Sequence, residues 1–247
     1  MLIENTLATL RALRLGGMAA ALDHQRANAS LQSLPFEDRF CMLVDAEKAV
    51  RDSKRLERLI RNAKFKATAC PEDIDYRAAR SLDKRQLHSM LSCDWIAHNQ
   101  HLIITGPTGV GKTWLACALG NQATRLGMPV LYKRFVRLLE EFEIAREDGS
   151  LPKLRAQLGK ARLLILDDWG VAPLSPRNRQ DLLEIIDDRT GSGALVITAQ
   201  LPVSKWHEYI NDPTLADAIL DRLVHAAHRI ELKGESMRKA RDKTNLK

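Results

Sequence analysis

Over the first 98 residues, apolar positions recur at three- and four-residue spacing, with few glycines and almost no β-branched clusters, which predicts helices throughout. Pro35 opens one of them before FEDRFCMLVDAEKAV: proline suits a first helical turn, and Glu37 and Asp38 suit its positive end. Pro71-Glu72-Asp73 repeats that start signal. From residue 101 the pattern changes to alternating strands and helices. HLIIT (101–105) reads as a short apolar strand, and 113–126 as the helix after it. MPVLYKR supplies a second strand around 129–133, followed by a helix in FVRLLEEFEIAREDG that ends at Gly149. RLLILD (162–167) is continuously apolar, as a strand buried on both faces would be. RNRQDLLEIIDDRTG predicts a third helix, GALVITA (193–199) a fourth strand and HRIEL (228–232) a fifth. Such repeated units predict an α/β fold: a five-stranded parallel sheet covered by helices, with ligand chemistry at the strands' C-terminal ends. The expected organisation is a small all-helical N-terminal domain (1–70), a helical linker (71–98), the α/β domain (99–233) and a basic tail (234–247).

Composition adds limits. With 247 residues, 45% of them hydrophobic and 28% charged, the chain can bury a real core and is not a disordered polymer. No apolar run approaches the roughly 20 residues of a membrane span, and the N-terminus lacks a signal-peptide layout, so a cytoplasmic protein is expected. Cys41, Cys70, Cys93 and Cys117 form no CxxC pair, which argues against a zinc site or a disulfide framework and predicts small buried hydrophobes. His98, His101, His207, His225 and His228 show no ligand spacing, and Trp95, Trp114, Trp169 and Trp206 read as packing residues.

The net charge of +7 is concentrated. Residues 48–66 carry +6 and residues 229–247 carry +4, leaving the rest of the chain at −3. In the first segment Arg51, Lys54, Arg55, Arg58 and Arg61 stack along one helix face, opposite Val50, Leu56, Leu59, Ile60 and Ala63. A solvated face is one reading. A same-sign stripe repels itself unless something anionic lies on it, so nucleic-acid phosphates are the expected partner, setting affinity and salt dependence rather than sequence choice. The C-terminal run (Arg238, Lys239, Arg241, Lys243, Lys247) fits a DNA-touching tail and a frayed end equally well.

The strand 101–105 runs directly into Gly106-Pro107-Thr108-Gly109-Val110-Gly111-Lys112-Thr113, a full GxxxxGK[ST] pattern. Its glycines let backbone N–H groups turn inward around a polyphosphate, at the positive end of the following helix. Lys112 would reach the β- and γ-phosphates and Thr113 would ligate Mg²⁺. The third strand ends in Asp167-Asp168, which places carboxylates beside that loop. Asp167 is expected to hold Mg²⁺ through water, and Asp168 to polarise the attacking water. The 55 residues from Lys112 to Asp167 leave room for an additional β–α unit, a spacing that looks like P-loop ATPases with an extra central strand. No guanine-reading NKxD occurs, which favours ATP.

The runs LIITGPTGVGKTWLACALGNQATRLGMPVLY, LLILDDWG and ITAQLPVSKWHEYINDPTLADAILDRLVHAAHRIELKGESMR resemble the IstB family of AAA+ ATPases, which assist insertion-sequence transposases and are close to DnaC-type helicase loaders. The resemblance is strong over 85–240 and looser before it. It implies that Gln200 senses the γ-phosphate, with Thr198 as the nearby substitute, since many relatives carry Asn there. By the same likeness Arg222 looks like an arginine finger completing a neighbouring subunit's site; a helix salt bridge to Asp217 or Asp221 is the alternative. Arg238 resembles the second sensor arginine, although only fifteen residues follow the fifth strand, too few for the usual helical lid. The function implied is an ATP hydrolase that oligomerises on duplex DNA and recruits or stimulates a cognate transposase. Rival readings are a helicase loader on single-stranded DNA, a nucleotide-gated protein adaptor and, more distantly, a small-molecule kinase.

Overall fold

The computed structural model describes residues 2–78, 80–224 and 227–237. These form two compact units, Met1–Arg58 and Leu59–Lys247.

The first unit contains α1 (Leu2–Ala12), α2 (Gly16–Ala27), α3 (Ala29–Gln32) and most of α4 (Phe36–Ala63). Polar contacts tie it together. The Glu47 carboxylate of α4 accepts the Gly17 and Met18 N–H groups at 2.8 and 3.2 Å, satisfying donors that the first turn of α2 leaves free. A Cβ on Gly17 would lie 2.7 Å from the Glu47 Cα, so only glycine permits this approach. Arg51 donates to the same carboxylate at 2.7 Å, and this bond is the largest cause holding the Glu47 carboxyl below its usual range.

The second unit begins with the last turn of α4, where Ala63 is buried. The expectation of helix throughout residues 1–98 fails between 64 and 83. Lys64 adopts a left-handed φ of 55°, which ends α4, and Pro71–Asp73 forms a single 3₁₀ turn. Asp75 then accepts the Arg77 and Ala78 N–H groups, a local turn that competes with helix. Helix resumes in α5 (Lys84–Leu91), capped by Asp83, and α6 (Asp94–Ala97).

The remaining elements alternate: β1 (His101–Thr105), α7 (Lys112–Arg125), β2 (Val130–Arg134), α8 (Phe135–Glu147), α9 (Leu151–Gly159), β3 (Leu163–Trp169), α10 (Pro176–Arg189), β4 (Ala194–Ala199), α11 (Trp206–Ile210), α12 (Pro213–Val224) and β5 (Ala227–Glu231). Helices α9, α11 and α12 go beyond the predicted set. All five strands are parallel, in the order β2-β3-β4-β1-β5. The strand between phosphate-loop strand β1 and acid-bearing β3 is β4; the β2–α8 unit between Lys112 and Asp167 lies at the sheet edge.

Alternation along the strands feeds two cores. Leu102, Ile104, Ile165 and Val196 pack with Leu115 and Leu119 of α7 and with Trp95. Ile103, Leu164, Leu166 and Ile197 face the other way, onto Phe135, Leu138, Leu182 and Ile219. Burying each such aliphatic side chain stabilises by about 1.5–3 kcal/mol. Trp169 and Trp206 are fully buried in the second core, their rings 4.9 Å apart, with Phe135 4.8 Å from Trp169. Cys93 and Cys117 are buried as expected, but Cys41 is exposed on α4 and Cys70 half-buried, because neither faces a core. Among the described residues no helix is long and apolar enough to cross a membrane.

Candidate nucleotide site

The loop after β1 wraps toward the N-terminus of α7, with Gly109 and Gly111 at φ of 87° and 96°, a conformation that other residues adopt only with strain. Gly109 also meets the chain beyond β5. A Cβ there would fall 2.1 Å from Ser236 Oγ, and the Met237 N–H donates to Gly109 O at 3.0 Å. Lys112 turns back on its own loop, its ammonium donating to Gly106 O and Pro107 O at 2.7 and 2.8 Å. Burial pushes its pKa down, against the attraction of Asp168 and Asp167. Thr108 Oγ1 donates to Gln200 Oε1 at 2.8 Å, joining the loop to the end of β4. Val110 points away from the opening into the first core.

Asp167 is wholly buried and hydroxyl-bound. Thr113 Oγ1 and Thr198 Oγ1 donate to its Oδ1 at 2.7 and 2.6 Å, and Tyr132 Oη to its Oδ2 at 2.5 Å. Burial, then the bond to Asp167, push the Tyr132 phenol pKa up, so it stays a donor. Thr198 therefore orients the acid pair, also accepting the Asp168 N–H at 3.1 Å, while Gln200 faces the loop.

Neighbouring residues of a regular strand point to opposite faces. Asp168 breaks that rule with a left-handed φ of 65°, at a register shift between β3 and β4 that spans Leu166 to Trp169. Asp168 consequently lines the opening while Asp167 stays buried, and both carboxylates come within 4 Å of one ammonium, that of Lys66. Buried Trp169 anchors the strand immediately beyond the irregularity. Asp168 Oδ2 accepts from Arg134 Nε at 3.0 Å, and Lys66 Nζ stands 3.6 Å from Asp167 Oδ2 and 3.9 Å from Asp168 Oδ2.

Lys112, Thr113, Asp168 and Gln200 line a cavity of about 610 Å³ together with Thr108, Gly109 and Gly111. Its size and mixed polarity suit a nucleotide. Thr113 Oγ1 and Asp167 Oδ1 are adjacent hard oxygen donors beside the phosphate loop, which fits Mg²⁺. Among the described residues no group of three His, Cys, Asp or Glu side chains could hold a metal, so Thr113 and Asp167 are the residues here that would hold Mg²⁺.

Five further residues escaped the sequence reading. Lys66, Arg80, Trp114 and Arg134 line the cavity, and Tyr132 grips Asp167. Trp95, Trp169 and Trp206 are buried packing residues, and half-buried Trp114 packs against the first core while also lining the cavity. Buried Arg80 donates to Val110 O at 3.4 Å and Asp75 O at 3.0 Å, and burial lowers its pKa. The register pairs Arg134 with Asp167, so strand order would have revealed the last residue of β2 as a neighbour of the acids. Lys66 carries no local signal; it reads as one more charge of the basic stripe.

Arg222 does not line this cavity. It ion-pairs with Asp187 of α10 and donates to Ala218 O at 2.8 Å, while Asp217 pairs with His207 at 3.3 Å. Arg51, Lys54, Arg55, Arg58 and Arg61 are exposed along α4, Arg51 bonding Glu47. Arg238, His225 and the basic residues from 239 onward lie outside the described residues. His101 is a buried acceptor for the Leu195 N–H at 3.2 Å, and burial, aided by Arg189, depresses its pKa to about 4.

The family model of IstB-like ATP binding protein matches residues 8–245. The insertion sequence ATP-binding protein y4pL of Sinorhizobium fredii is 47% identical, over 97% of this chain and 98% of its own. The insertion sequence IS1162 ATP-binding protein of Pseudomonas fluorescens is 53% identical, over 83% of this chain and 89% of its own. Among solved structures the fold is similar to DnaI, at a TM-score of 0.57, 19% identity and coverage of 71% of this chain and 93% of that one. It is also similar to the DnaC helicase loader, at a TM-score of 0.51, 18% identity and coverage of 60% and 87%. A phosphate loop facing paired acids across a five-stranded parallel sheet, in a chain matched nearly end to end, makes this protein a member of the IstB-like ATP-binding family, built on the AAA+ fold.

Proposed function

We propose that the chain is an ATP hydrolase that oligomerises on duplex target DNA and recruits or stimulates the transposase of an insertion sequence. The observation that carries this reading is the convergence of Lys112, Thr113 and Asp168 on one cavity, with Asp167 bonded to Thr113 just behind its wall, in a chain whose relatives are named for insertion sequences. When bound, Mg²⁺ supplies neutralisation of phosphate charge. Lys112 leaves the Gly106 and Pro107 carbonyls for the β- and γ-phosphates, and the loop N–H groups orient the chain of phosphates. Thr113 and Asp167 hold the metal side of the site. Asp168 releases Arg134 and takes up a hydrogen bond from the attacking water, polarising it toward phosphorus. Gln200, tied to the loop through Thr108, reads the γ-phosphate.

Arg222 acts across a subunit boundary, exchanging Asp187 for the neighbour's γ-phosphate, so that ATP bridges subunits. Assembly then aligns many copies of Arg51, Lys54, Arg55, Arg58 and Arg61, and weak phosphate contacts add along the duplex. Hydrolysis removes the bridging charge and loosens the assembly. The setting is the cytoplasm, with the protein on the nucleoid when bound.

Fluorescence anisotropy on a long duplex and a matching single strand, without nucleotide, with ADP and with a slowly hydrolysed ATP analogue, tests this. Cooperative duplex binding that requires the analogue is expected. Preference for the single strand would favour a helicase loader, and no DNA binding in any state would favour a protein-docking adaptor.

A further inference from the structure

The acid pair is surrounded by three cations with unequal holds. Lys112 is bound by two backbone carbonyls, and Arg134 makes a hydrogen bond of 3.0 Å to Asp168. Lys66 alone is shared between both carboxylates, at 3.6 and 3.9 Å, beyond hydrogen-bond length. It sits where a second positive charge is needed, because two close carboxylates, one wholly buried, repel each other unless compensated. Its stem is half-exposed, at 47%, so its ammonium can return to water at small cost. The backbone that carries it is fixed. Phe65 packs on α7 so closely that a Cβ on Gly120 would fall 2.6 Å from its ring, and Cys117 of the same helix faces the Lys66 and Ala67 backbone. A rigid strap with a loosely held terminal charge is what a displaceable counter-ion requires.

We propose that Lys66 is a tethered cation that holds the Asp167–Asp168 pair before loading and is displaced by the divalent metal that accompanies the nucleotide. This rests on the nucleotide reading of the cavity. It makes Lys66 a positioning residue: it keeps the two carboxylates together at the edge of the opening and sets a threshold against metal binding without ATP. Lys66 is three residues past the end of the basic helix α4, so the exchange moves charge at the foot of that helix.

Mn²⁺ titration followed by electron paramagnetic resonance, on the nucleotide-free full chain, tests the competition. Lys66→Met is expected to bind Mn²⁺ about tenfold more tightly than wild type, a modest factor because the half-exposed ammonium is screened. Lys66→Arg, which keeps the charge, is expected to stay near wild type. Adding Asp167→Asn to Lys66→Met should abolish the gain. Equal or weaker Mn²⁺ affinity in Lys66→Met, no bound Mn²⁺ in either protein, or a gain that survives Asp167→Asn would overturn the proposal. Binding of a fluorescent ATP analogue with Mg²⁺ to wild type separates the two ideas. Its failure would overturn the nucleotide reading, whereas normal analogue binding with unchanged Mn²⁺ affinity would overturn only the role of Lys66.

Discussion

The first 58 residues and the rest of the chain solve the problem of stability differently. In the ATP-binding unit every strand contributes buried residues, and Leu164, Ile165, Leu166 and Ile197 are almost wholly removed from water. Among the described residues of the first unit, Leu7 and Ala19 are the buried hydrophobic side chains, while Leu34, Phe36, Phe40, Met42 and Val44 are exposed. That unit relies on polar devices instead: Glu47 capping α2, and Gln25 donating to Arg39 O at 2.8 Å. A segment this small with so little core is marginal by itself. The contrast separates a densely packed unit from a sparsely packed one. Catalytic geometry needs packed surroundings, whereas a surface that meets DNA or protein can leave much of its ordering to the encounter.

The largest test of this division lies in the site. Asp168→Asn is expected to slow ATP hydrolysis about 10³-fold while nucleotide binding survives, trapping the ATP state on DNA; rapid release of this variant from duplex would sink the water-activating role. Arg222→Ala should lose about 10²-fold or more in hydrolysis with binding preserved. Loss of nucleotide binding there, in an equilibrium titration, would count against a role across the subunit boundary.

Packing separates the units next. Leu164→Ala is expected to cost about 3 kcal/mol of unfolding free energy, and Phe40→Ala about 0.5 kcal/mol or less, in urea melts. Equal costs would dissolve the contrast. A pH effect belongs to the packed unit. Because the His101 pKa is about 4 when folded and ordinary when unfolded, the unfolded chain binds the extra proton between pH 6.5 and 4. Stability should therefore fall as pH drops through that window, by on the order of 3 kcal/mol, and His101→Gln should flatten this part of the profile. The smallest effects fall on α4. Replacing Lys54 or Arg58 by Gln should weaken duplex binding without changing sequence preference and reduce the salt slope by about one per contact. An unchanged slope would remove the helix from the interface.

The strands, the phosphate loop and the acid pair were legible in the chain because their signals are local. Continuous apolar runs mark strands buried on both faces, and GPTGVGKT has one backbone purpose. The stretch 64–83 was misread because a left-handed Lys64 and an Asp75 turn override helical periodicity. Nothing in the local sequence reports that Asp168 leaves the strand alternation, that Arg134 and Tyr132 on the neighbouring strand grip the acids, or that Lys66 reaches both carboxylates. Those facts depend on strand order and on a strap packed against α7, relations between residues some 35 to 100 positions apart. Hydrophobic period and loop chemistry act over a few residues and so are written in the chain. The partners of a buried charge are set only when distant segments close around it, because burial makes each unpaired charge costly enough to select them.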